Sequence, residues 1–507
     1  MYFNVKADWR GRIYTESFFL DYQGSDLASA LLNFAEGLTL TDSGRDYLYI
    51  YGANNHNHKN ISKENFKKRI AWVKKNYNKI INLDRDLILS ADNPFIFSSF
   101  CLTMKELHNN PNYIVKIPVF LDATCNGMQH LAAMLQDLEL GSKVNLTSFN
   151  IDDKPKDFYS EVIVSINKTI NQYGEDNKQY AHFILLELTR LILKLSIMTK
   201  VYNNTTIGIT GQVRSKLEKT NLDFENIGSV DHINLELKEL IKNTKYVKDI
   251  KSSGTTKVKS RKNTEKDNEK YTRTLYIAPG KNGAKVHLSS HDIYKIAVIV
   301  NEVIFKLYPS LKKIYDYLLD ISKLMIKLGI PLTWITPTGM KITQHYLISK
   351  RKTIPIQFAG HVNKMVLRER TDKLNVNKQI GSIIPNTIHS LDSAHLMKLI
   401  LSAIFDDFGP IVSIHDCFGT HPNKMAELEF RVKKEFVLLY TQENFLETFH
   451  NRIIQSIIDN KYKILEENNE KFVVFENTVN KKLSIPNLPE LGKLDLEKII
   501  HSKYMIN

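Results

Sequence analysis

Two aspartates stand at the ends of short apolar segments that lie far apart in the chain. Asp122 follows Val119-Phe120-Leu121, and Asp416 follows Val412-Ser413-Ile414-His415. Each segment is typical of a β-strand that ends where a turn or a helix begins. If the fold brings the two carboxylates together, they form a platform for Mg²⁺, which prefers oxygen ligands and is typically held by one or two carboxylates plus substrate phosphates. An aspartate at a strand end is more often a turn former or a helix cap, so neither residue alone establishes a site.

A helix with a cationic face is predicted between the two aspartates. Arg190, Lys194, Met198 and Tyr202 follow one another at i+4 steps, which places them on one slowly turning stripe about 18 Å long. Two cations one turn apart repel mildly, so helix stability does not explain them. A triphosphate would, because Arg binds phosphates bidentately, Lys can protonate a departing pyrophosphate, and Tyr202 can contact the sugar and base. The alternative is a solvated cationic face beside an aromatic residue at the core edge. The apolar residues that predict this helix recur at three- and four-residue intervals, at Ile184, Leu185, Leu188, Leu191, Ile192, Leu195 and Met198.

These segments resemble motifs of the single-subunit DNA-dependent RNA polymerases of the bacteriophage and mitochondrial type. The first aspartate is followed by Gly127-Met128-Gln129-His130, similar to the Gly-x-Gln-His of that family. The helix is similar to Arg-x-x-x-Lys-x-x-x-Met-x-x-x-Tyr, and His415 to Thr420 resembles His-Asp-Ser-Phe-Gly-Thr. Further matches follow in chain order and extend the resemblance over nearly the whole chain, at Asp8-Trp9-Arg10-Gly11-Arg12-Ile13-Tyr14, Gly52-Ala53-Asn54, Asp92-Asn93-Pro94-Phe95, Trp334-Ile335-Thr336-Pro337 and Pro385-Asn386 through His389-Ser390 to His395-Leu396.

The sequence departs from the family pattern at two positions. Asn203 follows Tyr202 where the family usually has Gly, although Asn tolerates a positive φ. Leu195 replaces a common Arg beside Lys194, which would weaken a phosphate contact. Neither change touches the aspartate, lysine and tyrosine residues.

The resemblance implies transcription, that is, DNA-templated RNA synthesis by two-metal nucleotidyl transfer from ribonucleoside triphosphates, on a DNA template and with a nascent RNA as partner. Two Mg²⁺ ions would be bound by Asp122 and Asp416, with the carbonyl of Ala123 as an extra ligand. The implied roles are as follows: catalysis by Asp122, Lys194 and Asp416; substrate binding by Arg190, Tyr202, Gly127 and His389; nucleic-acid binding by Arg10, Arg12 and Tyr14.

Side-chain volume bears on which nucleic acid is made. Related DNA polymerases place a glutamate five residues after the first aspartate, where it excludes a 2′-hydroxyl, and Gly127 stands at that position. They also follow the second aspartate with glutamate, where this chain has Cys417. Both positions favour RNA synthesis. Two alternatives stay open: a catalytically inactive nucleic-acid-binding remnant of such a polymerase and, less favoured, a DNA polymerase.

The expected fold is α+β and helix-rich, a right-hand polymerase with palm and fingers. Residues 1–150 would form the front of the palm with the first metal motif, and 151–330 the fingers with a basic insertion at about 242–273. Residues 331–400 would hold a promoter-reading hairpin near 345–374 and a helix, and 401–507 the palm with the second metal motif and a helical C-terminal segment. Only seven residues precede Asp8, so we expect most of the thumb and the N-terminal domain to be missing from a fragment or truncated reading frame. An N-terminal region or a transcription factor would then act in trans.

Composition agrees with a phosphate-binding protein of more than one subdomain. The chain has 507 residues, 43% hydrophobic content and a net charge of +14. Residues 242–273 hold eleven Lys or Arg and four Asp or Glu, and their polar composition predicts a solvated linker. His389, Asp392 and His395 step by three residues, which matches no standard zinc signature and favours helix-surface packing over a metal cluster.

Location is predicted from what the sequence encodes. The three cysteines form no CxxC pair, so structural zinc and a disulfide framework are not expected. No apolar run reaches membrane-spanning length, and the acidic residues near the start are unlike a transit peptide. Abundant Asn, Lys and Ile, with AT-rich codons, favour a mitochondrial genome or a linear mitochondrial plasmid. An organelle-encoded protein would need no presequence and no membrane partner.

Overall fold

The computed structural model describes residues 3–17, 19–223, 272–358, 361–468, 470–475 and 482–507. Over these residues the fold is α+β and rich in helix, which confirms the predicted class. The predicted basic insertion, 242–273, lies outside the described residues except for its last two. None of the described helices combines the length and apolar character needed to cross a membrane.

Helices account for most of the described structure. They are α1 (Asp26–Ala30), α2 (Asp42–His56), α3 (Phe66–Lys75), α4 (Tyr77–Ile81), α5 (Arg85–Leu89), α6 (Pro94–Asn109), α7 (Asn126–Leu135), α8 (Leu138–Lys143), α9 (Phe158–Asp176), α10 (Arg190–Val201), α11 (Thr206–Ser215), α12 (Ser290–Leu307), α13 (Pro309–Leu328), α14 (Val376–Phe405), α15 (Met425–Thr441) and α16 (Phe445–Asp459). Short 3₁₀ segments lie at His58–Lys63, Lys178–Leu185, Lys281–Gly283, Pro422–Lys424 and Glu497–His501.

The strands form several small antiparallel sheets. They are β1 (Val5–Ala7), β2 (Ile13–Thr15), β3 (Leu38–Thr39), β4 (Ile114–Val115), β5 (Val119–Asp122), β6 (Glu218–Asp223), β7 (Thr272–Pro279), β8 (Lys285–Leu288), β9 (Leu332–Ile335), β10 (Lys341–Gln344), β11 (Leu347–Phe358), β12 (His361–Leu374), β13 (Val412–Ile414), β14 (Cys417–Thr420), β15 (Lys463–Glu467), β16 (Glu470–Val474) and β17 (Lys482–Ile485).

The chain divides into two compact units, which are described separately: residues 1–157 with 310–507, and residues 158–309. The first unit is built around α6, which begins with Pro94 at a position where a missing N–H costs no intrahelical bond. Its buried residues recur at helical spacing and join one hydrophobic cluster with residues of α2 and β5. They are Phe97, Phe100, Cys101, Met104 and Leu107.

A close helix contact in this core depends on a glycine. A Cβ at Gly52 of α2 would lie 2.4 Å from the ring of Phe100. We expect Gly52→Ala to lower the free energy of unfolding by about 1–3 kcal/mol, because overpacking forces side chains or backbone to shift. Urea unfolding measures this. Gly381→Ala in α14 is the matched control, since a Cβ there meets no atom within 4 Å and Ala favours helix by about 0.5–1 kcal/mol. Equal stability of the two variants would contradict the close contact.

A three-stranded antiparallel sheet in the order β13-β14-β5 joins distant parts of the first unit. In the β14–β5 register, Cys417 faces Asp122 and Phe418 faces Leu121. Val119 and Leu121 are fully buried, so the apolar side chains of β5 fix which face of the strand meets the core. The register therefore determines where the last residue of β5 lies.

The long helix α14 carries a series of buried polar side chains. Asp392 is 3% exposed and His395 4%, so the prediction that they pack on a helix surface is wrong. His395 Nε2 lies 2.8 Å from the carbonyl oxygen of Val432, and the indole N–H of Trp334 donates to the hydroxyl of Ser390 at 3.0 Å. Because these polar groups have hydrogen-bond partners, their burial costs the folded state little free energy.

Two further features of the first unit bear on the predictions. An antiparallel hairpin of β11 and β12 occupies most of the range in which one was predicted, 345–374. The predicted helical C-terminal segment is wrong in part, because in the described residues after Asp459 the chain forms the sheet β15-β16-β17 and one 3₁₀ turn. In β16 the apolar residues Phe472, Val473 and Val474 are consecutive, and Val473 is the buried one.

The second unit holds α9 to α12 and the sheet β6-β7-β8. The predicted helix does not extend back to Ile184, because the 3₁₀ segment ends at Leu185 and α10 begins only at Arg190. Side-chain amides of α9 hold the intervening segment: Asn167 bonds the backbone N–H and carbonyl of Leu188, and Asn171 bonds the carbonyl of Leu186. Leu191, placed by periodicity on the apolar face, is 75% exposed.

Candidate active site

Asp122 and Asp416 lie at the same end of one three-stranded sheet. Asp122 is the last residue of β5, and Asp416 occupies the turn between β13 and β14, directly before the partner of Asp122. The backbone N–H of Ala123 donates to the carbonyl oxygen of Asp416 at 3.2 Å. On its other side, β5 is flanked by Asn507, whose N–H donates to the carbonyl oxygen of Asp122 at 2.9 Å. Backbone pairing therefore fixes both carboxylates at one end of the sheet.

The two carboxylates repel each other. Burial raises the pKa of Asp416 well above its ordinary value, and the charges of Asp122 and Asp392 raise it further. A cation bound between them would relieve this repulsion, so the donor set fits a hard divalent ion. Among the described residues, no group of three or more His, Cys, Asp or Glu is placed to hold a metal. A metal at this pair would take its remaining ligands from water or substrate.

The turn that carries Asp416 has an unusual backbone. His415 has φ of 57°, a left-handed conformation that costs a residue with a Cβ about 1–2 kcal/mol. Its ring meets the ring of Tyr14 edge-on, with 5.1 Å between centroids. Burial and the charge of Arg12 lower the pKa of His415. The imidazole thus lies neutral beside the carboxylate, and the contact brings the predicted nucleic-acid residue Tyr14 to the same end of the sheet.

Arg10 connects the segment after β1 to α14. Its guanidinium pairs with Asp8 at 2.5 Å, and Nη1 lies 2.7 Å from Nδ1 of His389. Burial opposes ionisation of Asp8, but the hydrogen bonds and charge of Arg10 hold the pKa of that carboxyl below its usual value. Burial, with the charges of Arg12 and Arg10, lowers the pKa of His389 to about 3. His389 is therefore neutral at physiological pH and accepts from the arginine.

Arg12 is held inside the protein. Its Nε donates to Oδ2 of Asp392 at 2.9 Å, Nη2 contacts the same oxygen, and only 14% of the Arg12 side chain is exposed. The guanidinium also lowers the pKa of Asp416, against the effect of Asp392. Arg12 therefore pairs with Asp392, whose charge acts on Asp416. The arginine presents little surface for the predicted template contact.

Gly127 lies buried in the first turn of α7, five residues after Asp122. The helix begins after Cys125, which has a left-handed φ of 62°. Gln129 anchors it, because its amide donates to the carbonyl oxygens of Val144 and Met505, each at 2.9 Å. His130 follows with Nδ1 2.6 Å from the hydroxyl of Tyr440. Gln129 and His130 of the Gly-x-Gln-His motif therefore attach α7 to the rest of the unit. Gly127 lies in the first turn of α7, which follows Asp122.

Arg190 and Lys194 share one face of α10. The guanidinium of Arg190 lies 5.7 Å from the ring centroid of Tyr159, and the ammonium of Lys194 lies 5.9 Å from the same centroid. Such cation–π contacts hold two like charges on one aromatic surface despite their repulsion. Lys194 is exposed and Arg190 half-buried, so the lysine remains accessible.

Tyr202 lies at the C-terminal end of α10, one residue after the last helical position. Asn203, where the family usually has Gly, has φ of 60°, a left-handed conformation that asparagine tolerates. The following residue, Asn204, donates to Thr199 Oγ1 at 3.0 Å and to Gln212 Oε1 at 3.1 Å, which ties the turn to α11. Tyr202 is half-buried at this turn.

Sequence reasoning missed three residues around these groups. Asp8 precedes the arginines within their own motif, and Asp392 follows His389 by about one helical turn, so both could have been found as charge partners. Tyr159 carries no such signal, because only the packing of α9 against α10 places it under Arg190 and Lys194.

Comparison with known sequences defines the class. Residues 39–507 match the sequence model of the family described as DNA-dependent RNA polymerase, so the chain belongs to that family. It is 41% identical, over all of its length and 56% of the relative, to a probable DNA-directed RNA polymerase of Gelasinospora sp. (strain G114). It is 34% identical, over 100% of the chain and 52% of the relative, to a probable DNA-directed RNA polymerase of Neurospora crassa.

A more distant relative is named as a mitochondrial enzyme. The chain is 27% identical, over its whole length and 40% of the relative, to the mitochondrial DNA-directed RNA polymerase of Schizosaccharomyces pombe. The chain thus spans about half the length of the curated relatives it matches, or less.

Proposed function

We propose that this chain carries the catalytic residues for DNA-templated RNA synthesis by two-metal nucleotidyl transfer. One observation carries the proposal: Asp122 ends β5, Asp416 directly precedes the residue of β14 that pairs with Asp122, and the two carboxylates repel each other. Membership of the DNA-dependent RNA polymerase family supports it. When bound at this pair, two Mg²⁺ ions would lower the pKa of the attacking 3′-hydroxyl and neutralise charge on the phosphates.

Each residue then has a defined task. Asp122 and Asp416 hold the ions, with the Ala123 carbonyl as an extra ligand. Arg190 grips the triphosphate, and Lys194 donates a proton to the pyrophosphate leaving group, for which an accessible ammonium is suited. Tyr202 and Gly127 accommodate the ribose. His389, neutral and held by Arg10, contacts the nascent base pair. Arg10, Arg12 and Tyr14 bind the nucleic acid, with Arg12 offering the small part of its side chain that stays exposed beside Asp392.

The architecture proposed for these roles is a right hand. Residues 1–150 and 401–507 form the palm, 151–330 the fingers with the basic insertion, and 331–400 the promoter-reading hairpin and its following helix. DNA template, nascent RNA and ribonucleoside triphosphates are the partners. A mitochondrial location is proposed because several relatives are named mitochondrial polymerases.

The decisive experiment is incorporation of radiolabelled nucleotides on a primed RNA/DNA hybrid with Mg²⁺. Ribonucleotide incorporation is the expected result. Hybrid binding without incorporation would favour the inactive remnant, and preferential incorporation of deoxyribonucleotides would favour a DNA polymerase. The first alternative has no observation in its favour within the described site, since the aspartates, lysine and tyrosine are all present.

Sugar selection gives a further prediction. Tyr202→Phe removes one hydroxyl and keeps the ring, so we expect nucleotide incorporation to continue while the preference for ribose over deoxyribose falls about tenfold, the value of one hydrogen bond. Competition between a ribonucleotide and the matching deoxyribonucleotide measures it. Tyr294→Phe, which removes the hydroxyl of an exposed tyrosine on α12 of the same unit, is the control. Full sugar discrimination by Tyr202→Phe would make Tyr202 structural.

A further inference from the structure

Arg69 of α3 is fully buried, which is rare for an arginine. Its Nε donates to the carbonyl oxygen of Glu64 at 2.9 Å, Nη1 donates to Oδ1 of Asn54 at 3.0 Å, and Nη2 donates to Oδ1 of Asn507 at 3.1 Å. All three acceptors are neutral oxygens. Burial lowers the pKa of Arg69 to about 10, so the guanidinium is still charged at neutral pH. A buried charge is weak support for stability, which points to another task for this arginine.

Asn507 joins Arg69 to the strand that carries Asp122. The Asn507 N–H donates to the carbonyl oxygen of Asp122 at 2.9 Å, and its carbonyl oxygen accepts from the Asp122 N–H at 3.3 Å. The side-chain amide of Asn507 donates to Oγ1 of Thr124 at 2.6 Å, while Oδ1 of the same amide accepts from Arg69. One edge of Asp122 is therefore held by β14, and the other edge by a residue whose side chain Arg69 fixes.

The residues before Asn507 follow β5 in the antiparallel direction. Ile506 forms a β-bridge with Ala123, and the carbonyl oxygen of Met505 accepts from the Thr124 N–H at 3.0 Å. These bonds guide the backbone beyond Asp122, whereas the bonds to Asp122 itself come from Asn507. Asn54, in the Gly52-Ala53-Asn54 motif of α2, holds the other arm of the guanidinium. The arginine thus ties α2 and α3 to the edge of the aspartate strand.

We propose that Arg69 is a positioning residue for the metal site: by holding Asn507 against β5, it keeps the Asp122 carboxylate where a cation can be shared with Asp416. The inference rests on the proposed function and adds a residue to it. Because Arg69 is fully buried, it cannot touch the cation or the substrate, so its effect must pass through Asn507. Residues behind metal ligands orient those ligands, and their loss typically lowers metal affinity by about 10–100-fold.

Mn²⁺ binding tests the proposal without any catalysis. Electron paramagnetic resonance measures free Mn²⁺ during titration of the full chain, in the absence of nucleotides and nucleic acid. We expect Arg69→Met, which removes the three hydrogen bonds and keeps an unbranched side chain, to weaken Mn²⁺ binding about tenfold. Asn507→Ala removes the same link from the other side and keeps the backbone bonds, so it should weaken binding by a similar factor.

The double variant Arg69→Met/Asn507→Ala distinguishes positioning from a general loss of stability. If both residues act through their shared hydrogen bond, the double variant should bind Mn²⁺ within about twofold of the weaker single variant. Independent defects would instead multiply. An Mn²⁺ affinity of the double variant that equals the product of the two separate losses overturns the proposal.

Two controls test whether the effect belongs to this bond. Lys433→Met removes another buried cation of the same unit, which pairs with Glu429 of its own helix, α15. It should lower stability to urea and leave Mn²⁺ affinity unchanged. Asn54→Ala removes a different bond of Arg69, so it should weaken Mn²⁺ binding less than about threefold, because the bond to Asn507 remains. A loss as large as that of Asn507→Ala in either control contradicts the proposed route.

Asp122→Asn separates this inference from the proposed function. If Asp122→Asn weakens Mn²⁺ binding while Arg69→Met and Asn507→Ala leave it unchanged, the metal site stands and the positioning role of Arg69 is excluded. If Asp122→Asn also leaves Mn²⁺ binding unchanged, the metal assignment fails, and the inference fails with it. Where Arg69→Met does not fold, Asn507→Ala decides. Primed extension by Asn507→Ala should show a lower kcat that raised Mg²⁺ partly restores, with the nucleotide KM unchanged.

Discussion

Asp122→Asn and Asp416→Asn should each reduce Mg²⁺-dependent extension of a primed hybrid by about a thousandfold or more. Replacing a carboxylate by an amide removes a charged metal ligand, and loss of several kcal/mol of transition-state stabilisation corresponds to that factor. Binding of the hybrid should change little, because affinity for nucleic acid comes mainly from phosphate contacts elsewhere. Single-turnover extension and anisotropy of a labelled hybrid measure the two quantities.

Asp416→Asn should raise the stability of the folded protein although it lowers the rate of extension. The folded protein raises the pKa of Asp416, so in the window above the ordinary aspartate pKa the native state holds a proton that the unfolded state has lost. Stability therefore falls as the pH rises through this window, and the penalty is fully present above the raised pKa. Asp416→Asn removes it, so in Mg²⁺-free buffer the variant should melt at a higher temperature than the wild type near neutral pH.

A matched control isolates position from charge. Asp46→Asn makes the same substitution on the exposed side of α2, and should alter neither extension nor the pH dependence of melting. Extension by either active-site variant above about a tenth of the wild-type rate would contradict the metal assignment. A lower melting temperature for Asp416→Asn would show that the carboxylate stabilises the fold.

The site was predictable to the extent that its signals are local. Asp122 and Asp416 were placed correctly at strand ends, because apolar runs of three or four residues followed by a turn are visible in sequence. Their pairing was not, since the β14–β5 register depends on burial of Val119 and Leu121 in a core assembled from distant segments. Family resemblance supplied the link that periodicity could not.

The start of α10 shows why periodicity failed elsewhere. Ile184 to Leu188 continue the helical spacing, yet the chain leaves the 3₁₀ segment at Leu185, and Asn167 and Asn171 of α9 bond the carbonyls of Leu188 and Leu186. Side-chain amides from a neighbouring helix thus replaced intrahelical bonds, a tertiary effect that outweighs local propensity. Within α10, Leu191 is 75% exposed and Leu193 is fully buried.

Arg12 shows why the partners of a charged residue are hard to predict from the sequence. Its place in a motif predicted a template contact, but the fold pairs it with Asp392 on α14, which sequence assigned to a helix surface. A buried carboxylate needs a partner, so the ion pair follows from the burial of Asp392. Burial of a polar residue inside a long helix rich in Ser, Thr and Asn had no clear periodic signal.

Lys194→Ala should slow the chemical step by about a hundredfold to a thousandfold while weakening hybrid binding less than about threefold. A positioned general acid contributes about 10²–10⁴ to a rate, and a charge that meets developing negative charge on pyrophosphate matters most in the transition state. In the structure the ammonium lies 5.9 Å from the ring centroid of Tyr159, on an exposed part of α10. Rapid-quench extension at saturating nucleotide measures the step.

Two comparisons make the lysine result specific. Lys168→Ala removes the same charge from an exposed position on α9 of the same unit and should leave the rate unchanged. Lys194→Arg keeps the charge but is a far weaker acid, so it should restore nucleotide affinity more than it restores the rate. If Lys194→Ala instead raised the nucleotide KM alone and kept kcat, the lysine would bind ground state and transition state equally, and its role as proton donor would be excluded.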